Sequence, residues 1–424
     1  MKLVCLILLA GLAALPVGLH AGPIGGNGAS LPLVAEGEHA WLLPAGHYHG
    51  NYRIDQPLEL RCAEGAVLDG DGQGSVVTIG AAEVTINGCT LRNGGRDLTA
   101  MDAALFVEKQ AANVRLLNNQ ITTPGFGIWV DASKDVVIDG NDLVGDDSIR
   151  SQDRGNCIHL YAVTGALVRN NSARLCRDGI YIDTSNFNRL ENNRLEDLRY
   201  GVHYMFSNNN EVIGNLTRHT RTGYALMQSR KLTVVGNRSE DDQNYGILMN
   251  YITYSTLTDN QVSRVRSGST GDSMIQGAEG KALFIYNSVF NRITGNSFSQ
   301  SPLGIHLTAG SEDNVISGNR FISNQQQVKY VATRTQEWSE DGRGNYWSNY
   351  VGWDRNSDGL GDVPYEPNDH VDRLVWLYPQ LKLLMHSPAI ELLRWVQRLF
   401  PILQSPGVRD SYPLMSNPEG NTNT

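Results

Sequence analysis

Histidine and methionine side chains recur on one face of a strand segment that repeats along the chain. The segment has the pattern Gly-apolar-x-apolar, as in Gly179-Ile180-Tyr181-Ile182. Its alternation is typical of a β-strand whose apolar residues point inward. The outward position between them is filled in turn by Trp129, His159, Tyr181, His203, Ala225, Leu248, Phe284 and His306, and the next outward position by Asp131, Tyr161, Asp183, Met205, Met227, Asn250, Tyr286 and Thr308.

His203, Met205 and Met227 are the candidate metal ligands on this outward face. Residues two apart on one strand face, or stacked on neighbouring strands, lie within about 5–7 Å of one another. An imidazole with two thioethers is a soft ligand set that suits Cu(I). An aromatic face of this kind equally fits binding of a partner protein or a sugar, or coverage by a loop. The residues alone leave these alternatives open.

A second candidate metal site lies far along the chain. Asp354, Asn356, Asp358 and Asp362 match the spacing of the first nine positions of an EF-hand-type calcium loop. The twelfth position is Tyr365 rather than Glu, and no flanking helices are evident. The pattern therefore predicts a weak or structural calcium site, with a metal-free network of Asx turns as the alternative.

A repeat of about 22 residues sets the elements that must position these groups. Each unit carries an apolar residue followed three positions later by Asn, and the Asn residues are Asn119, Asn141, Asn171, Asn193, Asn215, Asn237, Asn260, Asn296 and Asn319. Short runs of Val, Ile and aromatic residues between Gly, Asn and Asp predict strands. We therefore predict an all-β fold, a right-handed parallel β-helix over residues 22–330 with about three strands per coil. The Asn side chains would stack at one inward turn and have a structural role.

Three stretches exceed the repeat length, between residues 89 and 119, 141 and 171, and 260 and 296. These extra residues predict loops that bulge from the rigid coils. Loops carried on a rigid scaffold often bear function, and inert decoration is the alternative.

The N-terminal residues 1–21 read as a secretory signal, with Lys2 ahead of an apolar run and a cleavage site after Ala21. Export permits disulfides. Cys62 and Cys89, and Cys157 and Cys176, each lie about one coil apart and are the favoured pairs, with buried free thiols as the alternative. The net charge of −9, with scattered Lys and Arg, argues against a nucleic-acid partner.

Two further segments follow the repeats. Residues 331–379 would cap the open end of the β-helix, which otherwise presents bare strand edges. Residues 380–424 would form an amphipathic helix and a tail. The apolar side of this helix would dock on a membrane protein or at the bilayer interface, through Leu392, Trp395, Leu399 and Phe400. Packing along the flank of the β-helix is the alternative.

Together these features resemble the NosD family, periplasmic β-helix proteins of nitrous oxide reductase maturation. The resemblance covers the coils, the cap from Asn345-Tyr346-Trp347-Ser348 to Asp362-Val363-Pro364-Tyr365, and the apolar segment 383–403 followed by Ser405-Pro406-Gly407. It implies a non-enzymatic periplasmic protein, associated with the inner membrane through the membrane subunit and ATPase of an ABC transporter. With the copper chaperone NosL, this assembly would help to build the copper–sulfide centre of nitrous oxide reductase. The resemblance supplies no catalytic residues, and it leaves open whether the transporter moves copper, a sulfur species or only mechanical work.

The rival interpretation is a polysaccharide-active β-helix enzyme, a hydrolase, lyase or epimerase. Hydrolases of this kind need paired carboxylates, and lyases and epimerases need a base. Asp131 and Asp183 on the outward face, and Asp146 and Asp147 in a predicted loop, are the candidates. No N-T-D, G-H-G or D-P-H-D type motif of the known sugar-active families accompanies them.

Overall fold

The computed structural model describes residues 23–268 except 29, 279–331 except 309, 334–368 and 407–418, with residues 380, 387–390, 392 and 396. Within these residues, three sheets of 13 strands each run the length of the molecule. The chain visits sheets A, B and C in turn, and each circuit forms one coil. The prediction of an all-β parallel β-helix is confirmed.

The strands of sheet A are the longest and carry the candidate copper ligands. In order, its strands are Gly25–Gly26, Tyr52–Ile54, Val77–Ile79, Ala103–Val107, Phe126–Asp131, Ile158–Tyr161, Asp178–Asp183, Tyr200–Met205, Thr222–Met227, Tyr245–Asn250, Lys281–Tyr286, Leu303–Thr308 and Gln326–Val331.

Sheets B and C complete each coil. Sheet B comprises Val34–Ala35, Ala40–Leu43, Glu59–Cys62, Thr85–Asn87, Arg115–Leu117, Val137–Asp139, Leu167–Arg169, Arg189–Glu191, Glu211–Ile213, Thr233–Val235, Thr256–Thr258, Arg292–Thr294 and Val315–Ser317. Sheet C comprises Gly46–His49, Ala66–Asp69, Thr90–Arg92, Gln120–Thr122, Asp142–Val144, Ser172–Arg174, Arg194–Glu196, Leu216–Arg218, Arg238–Glu240, Gln261–Ser263, Ser297–Ser299, Arg320–Ile322 and Tyr346–Trp347. Only the first pair of strands in sheet A and the first pair in sheet B are antiparallel among these described strands.

Little other regular structure occurs in the described residues. Gln336–Glu337 pairs with Val408–Arg409, and Ser151–Asp153 is a single 3₁₀ turn. Residues 388–390, 392 and 396 are helical. No helix in the described ranges is long and apolar enough to cross a membrane.

The core is a continuous column of apolar side chains inside the coils, because alternate strand residues point inward. Asparagines stack at the turn between sheets B and C, as predicted. In this ladder the backbone N–H and the side-chain amide of Asn193 both donate to Oδ1 of Asn215 in the next coil, at 3.0 and 2.8 Å. Asn193 also donates to the carbonyl of Val168. The ladder thus satisfies backbone groups that the tight turn would leave buried and unpaired.

Both favoured disulfides are present, with Cα–Cα distances of 4.9 Å for Cys62–Cys89 and 5.5 Å for Cys157–Cys176. Cys89 also takes the place of an Asn at the start of the ladder, where its backbone N–H donates to Oδ1 of Asn119. The two bridges therefore tie neighbouring coils together within the described N-terminal half.

The extra residues in the three long repeats all fall in the connection from sheet C to sheet A, at 93–102, 145–157 and 264–280. In a regular coil this connection is as short as 175–177. The insertions therefore emerge along one edge of sheet A, beside the face that carries the histidines. Residues 269–278 of the third insertion lie outside the described part of the chain.

The end of the β-helix is closed by the cap together with the C-terminal tail. Trp347 stacks on Phe321 of the coil beneath, with ring centroids 4.3 Å apart. Asp410 of the tail is buried and accepts hydrogen bonds from the backbone N–H of Asn345 and from Nε1 of Trp347, at 2.7 and 2.8 Å. The sequence predicts that residues 380–424 form one unit, an amphipathic helix and a tail that dock on a membrane partner. The structure instead places residues 407–418 of the tail against the cap.

Candidate functional site

The outward face of sheet A has the register that the sequence predicts. Trp129 pairs with His159, His159 with Tyr181, and Tyr181 with His203. The same column then continues through Ala225, Leu248, Phe284 and His306. The next outward column pairs Asp183 with Met205, Met205 with Met227, and Met227 with Asn250.

This face is packed rather than solvated. Trp129 is 8% exposed, and His159 and His203 are each 6% exposed. Neighbouring rings in the column are in contact: the tilted rings of His159 and Tyr181 have centroids 4.6 Å apart, and the stacked rings of Tyr181 and His203 have centroids 4.2 Å apart. Burial lowers the pKa of His159 to about 3, so its imidazole is neutral at physiological pH.

His203 is held by a buried ion-pair network. Its Nδ1 lies 3.0 Å from a carboxylate oxygen of Asp178, which is fully buried. Arg199 donates to both oxygens of Asp178, at 2.8 and 2.6 Å. Although burial opposes it, the hydrogen bonds from His203 and Arg199 lower the pKa of Asp178. Because a carboxylate only accepts, Nδ1 of His203 carries a proton.

The other ring nitrogen of His203 is the notable feature of this network. Nε2 is buried and has no hydrogen-bond partner among the described residues. Buried polar atoms are almost always paired, so an orphaned one needs an explanation. In the tautomer with the proton on Nδ1, the lone pair is on Nε2, which is the atom that ligates a metal in a carboxylate–histidine pair.

The structure also brings the two methionines together beside this imidazole. Met205 and Met227 are register partners, both half-buried, and Met205 lies two residues beyond His203 on the same face. Ala225 is the register partner of His203 in the next coil, so a small side chain interrupts the ring stack there. One nitrogen and two thioether sulfurs therefore share this part of sheet A, and the donor set fits Cu(I).

The alternating pattern of the strand did not identify Asp178 as part of this site. Asp178 lies two residues before the inward-facing Ile180, so the pattern predicts that its side chain also faces inward. Its carboxylate nevertheless contacts His203 on the outer face. The detectable signal is an acidic residue directly before the Gly of one repeat, where the neighbouring coils have Tyr200 and Thr222.

A second polar cluster lies further along sheet A. Nζ of Lys281 donates to Glu279 at 2.7 Å, and Nζ of Lys329 lies 3.5 Å from the other oxygen of Glu279. Against the effect of burial, Lys281 lowers the pKa of Glu279 to about 2. Burial lowers the pKa of His306 to about 3. The two ammonium groups share the single carboxylate of Glu279, and the cluster lacks the thioethers that adjoin His203.

The calcium-like loop forms a network of Asx turns in the structure. The carboxylate of Asp354 accepts from the backbone N–H of Gly359 at 2.8 Å, and that of Asp358 accepts from Leu360 at 2.8 Å. Asn356 donates to Asp358, and the carboxylate of Asp362 accepts from the backbone N–H of Arg355. Calcium binding by this exposed loop remains a prediction.

One cluster that the sequence did not suggest lies near the N-terminus. His49, Asp69 and Asp71 are the one group of three His, Cys, Asp or Glu side chains in the described residues whose donor atoms lie within 4.8 Å of one another. Asp69 is already bound by Arg92 and Asn93, at 2.7 and 2.9 Å. Its charge is therefore balanced by protein groups.

The remaining predicted residues are spread out. Asp131 and Asp183 lie two coils apart in one column with Tyr161 between them, and Asp146 accepts hydrogen bonds from Ser148 within its own loop. Leu392 is helical and 60% exposed. Trp395, Leu399 and Phe400 lie outside the described residues.

Comparison with known families decides the membership of this chain. Residues 140–352 match the family model described as periplasmic copper-binding protein (NosD). A protein of Pseudomonas aeruginosa, named probable ABC transporter binding protein NosD, is 65% identical over 410 residues, which cover 96% of this chain and 95% of the relative. A protein of Stutzerimonas stutzeri with the same name is 66% identical over 390 residues, covering 92% and 89%.

The chain belongs to the NosD family. The NosD match spans the coils that carry His203, Met205 and Met227. Among solved structures, DFA-IIIase from Arthrobacter chlorophenolicus A6 aligns with a TM-score of 0.53 and 11% identity, over 74% of this chain and 89% of that one. At that identity the likeness shows a shared fold alone. The resemblance to NosD proteins seen in the sequence is thus confirmed. Only the shared fold supports the rival interpretation as a polysaccharide-active enzyme.

Proposed function

We propose that this protein is the periplasmic component of an ABC-transporter-linked machinery that assembles the copper–sulfide centre of nitrous oxide reductase. It would handle Cu(I) at a site formed by His203, Met205 and Met227. The ATP hydrolysis would belong to the transporter's ATPase and not to this chain. The names of its relatives and the copper-binding description of its family support the proposal.

One observation carries the proposed site. Nε2 of His203 is buried without a partner while Asp178 holds Nδ1, and the register partners Met205 and Met227 lie beside it. Burial shields the imidazole of His203 from water, and two thioethers with one imidazole favour Cu(I) over harder cations. In this site Asp178 orients the imidazole, and Tyr181 stacks on its face.

Cu(I) titration of the full mature chain against a chromophoric competitor tests the site directly. The combined variant His203→Ala, Met205→Ala and Met227→Ala should weaken Cu(I) binding by at least 100-fold. His306→Ala is the matched control, because it removes a half-buried histidine of the same column that has no methionine beside it. Unchanged affinity in the triple variant, or an equal loss in the control, would exclude the site.

The proposed assembly is tested separately by affinity purification from detergent-solubilised membranes of the native host. The expected result is recovery of an ABC membrane subunit and its ATPase, with the helix around Leu392 as the attachment. NosL and nitrous oxide reductase are the further partners that the proposal names. Recovery of the protein alone, with no transporter subunit, would contradict the proposed assembly.

A further inference from the structure

Seven exposed aromatic side chains follow the turn from sheet A to sheet B along six consecutive coils. We call them the aromatic edge, and they are Tyr161, Phe187, Phe206, Tyr251, Tyr254, Tyr286 and Phe290. Their exposure runs from 40% for Tyr286 to 64% for Phe187. Six coils at the strand spacing extend over about 24 Å.

Five of the seven stand where the backbone disfavours them. Phe187, Phe206, Tyr251, Tyr254 and Phe290 all have φ between 52° and 60°. This left-handed region suits Gly, Asn and Asp, and bulky side chains are uncommon there. Equivalent positions of other coils have Asp135, Gly165, Asn209 and Asp313, and also Ala132, Thr184, Gln228 and Lys231. The aromatic residues therefore expose apolar surface at left-handed positions that other coils fill with smaller or polar residues, and folding alone does not explain that choice.

The rings form two groups with the methionine pair between them. Tyr254 stacks on Phe290 with centroids 5.2 Å apart, and Tyr251 meets the edge of Tyr286 at 5.9 Å. On the other side lie Tyr161, Phe187 and Phe206. Met205 directly precedes Phe206, and its partner Met227 lies in the coil that separates the two groups.

That separating coil also carries two exposed cations. Arg230 and Lys231 form no ion pair within the described part of the chain, although the whole protein has a net charge of −9. Exposed cations among aromatic rings favour a partner protein with carboxylates on its docking face, because complementary charge orients the two proteins and accelerates their association. Tyr, Phe, Met and Arg are also the residues enriched in the cores of protein interfaces.

The area of the edge matches a protein partner. Seven half-exposed aromatic side chains present about 700 Å², close to the roughly 800 Å² that each partner buries in an interface of standard size. We propose that the aromatic edge docks a folded protein whose face combines apolar side chains with carboxylates opposite Arg230 and Lys231. Such a partner would cover Met205 and Met227, so that Cu(I) could pass without release into solvent. This last step alone rests on the copper function proposed above.

Photo-crosslinking in the periplasm of the native host tests the surface. p-Benzoylphenylalanine replaces Phe187 or Phe290 in the full chain, and Val351, which is 92% exposed on the cap, is the control position. The expected result is an adduct with one identified protein at both edge positions and none at residue 351. The adduct should disappear when Arg230→Glu and Lys231→Glu are added. Absence of an adduct, equal labelling at residue 351, persistence after charge reversal or a glycan adduct would each overturn the proposal.

The crosslinked protein is then purified, and its association with this chain is measured. The combined variant Phe187→Asn, Tyr254→Asn and Phe290→Asn should slow association at least tenfold. Its Tm should stay the same or rise, because Asn relieves the left-handed strain. Unchanged association would refute the proposal. Cu(I) titration of the wild type separates the two proposals. If the protein binds Cu(I) but no partner docks on the aromatic edge, the copper site is supported and the docking proposal is excluded.

Discussion

At the scale of single residues, buried carboxylates set the chemistry of this protein in two different ways. Asp178 is paired with Arg199 and His203 at the candidate copper site. Asp242 lies inside the coils, where it accepts hydrogen bonds from Thr217 and Thr220 at 2.7 and 2.8 Å and forms no ion pair with any described residue. The first arrangement stabilises the ionised form of the carboxyl group, and the second does not.

Asp178→Asn should weaken Cu(I) binding about 10- to 100-fold, as loss of the partner that orients a metal-ligating histidine typically does. It should also lower the free energy of unfolding by roughly 3 kcal/mol, because Arg199 is left partly buried without its carboxylate. Cu(I) titration and urea unfolding measure the two effects. Asp183→Asn, at the end of the same strand, is the control and should change neither. Wild-type affinity in a destabilised Asp178→Asn variant would contradict the orienting role.

Asp242 should make stability depend on pH in an unusual direction. Burial raises its pKa to about 6, above the unfolded value of about 3.9. The stability it contributes is therefore full below pH about 4 and is lost as pH rises through 6, a change on the order of 3 kcal/mol. Asp242→Asn keeps an acceptor for Thr220 and removes the charge.

Urea unfolding of the wild type and Asp242→Asn from pH 4 to 7.5 tests this prediction. As pH rises, the unfolding free energy of the wild type should fall relative to that of the variant. The neighbouring Asp241 is the control, because hydrogen bonds from Arg264 lower its pKa. The stability contribution of Asp241 is lost only as pH falls below about 4, so Asp241→Asn should give a constant offset from pH 5 to 7. A pH-independent difference for Asp242→Asn would contradict the prediction.

At the scale of elements, the Asn ladder joins the coils more specifically than apolar packing does. Asn260 donates from its backbone and side chain to Oδ1 of Asn296 and accepts both corresponding bonds from Asn237. Its side chain also donates to the carbonyl of Val234 at 2.9 Å. One side chain therefore satisfies groups in three coils.

Asn260→Ala should lower the free energy of unfolding by about 3–5 kcal/mol, because two buried donors of Asn237 and a buried carbonyl lose their partner at about 1–3 kcal/mol each. Gln261→Ala changes the adjacent exposed residue and should cost less than about 0.5 kcal/mol. Urea unfolding compares the two variants. Equal losses would show that the ladder adds nothing beyond strand packing.

At the scale of the whole molecule, the described tail closes the last coil. Asp410 takes the position that the next Asn would occupy above Asn345, and Leu414 bridges to Tyr346. The tail thereby covers a sheet end that would otherwise offer unpaired backbone groups to another chain. A chain shortened after residue 406 should self-associate end to end, with a molar mass that rises with concentration in analytical ultracentrifugation.

Asp410→Asn tests the same closure without a deletion. It should keep the protein monomeric while lowering Tm. An Asn amide has a single oxygen, whereas one carboxylate oxygen of Asp410 accepts from Asn345 and Trp347 and the other accepts from the backbone N–H of Tyr412. A shortened chain that stays monomeric at high concentration would contradict the capping role of the tail.

The sequence by itself determined the parallel β-helix, the register of sheet A and the two disulfides. Each depends on the repeat of about 22 residues. Because every repeat has the same alternation of inward and outward residues and one Asn, every repeat folds into the same kind of coil. Only the tertiary structure decided that Asp178 reaches His203 and that Asp410 ends the ladder. It also showed that aromatic residues from five of six consecutive coils line one exposed edge. These contacts join residues at irregular places in the repeat, or residues far apart in the chain such as Asn345 and Asp410, and no local period encodes them.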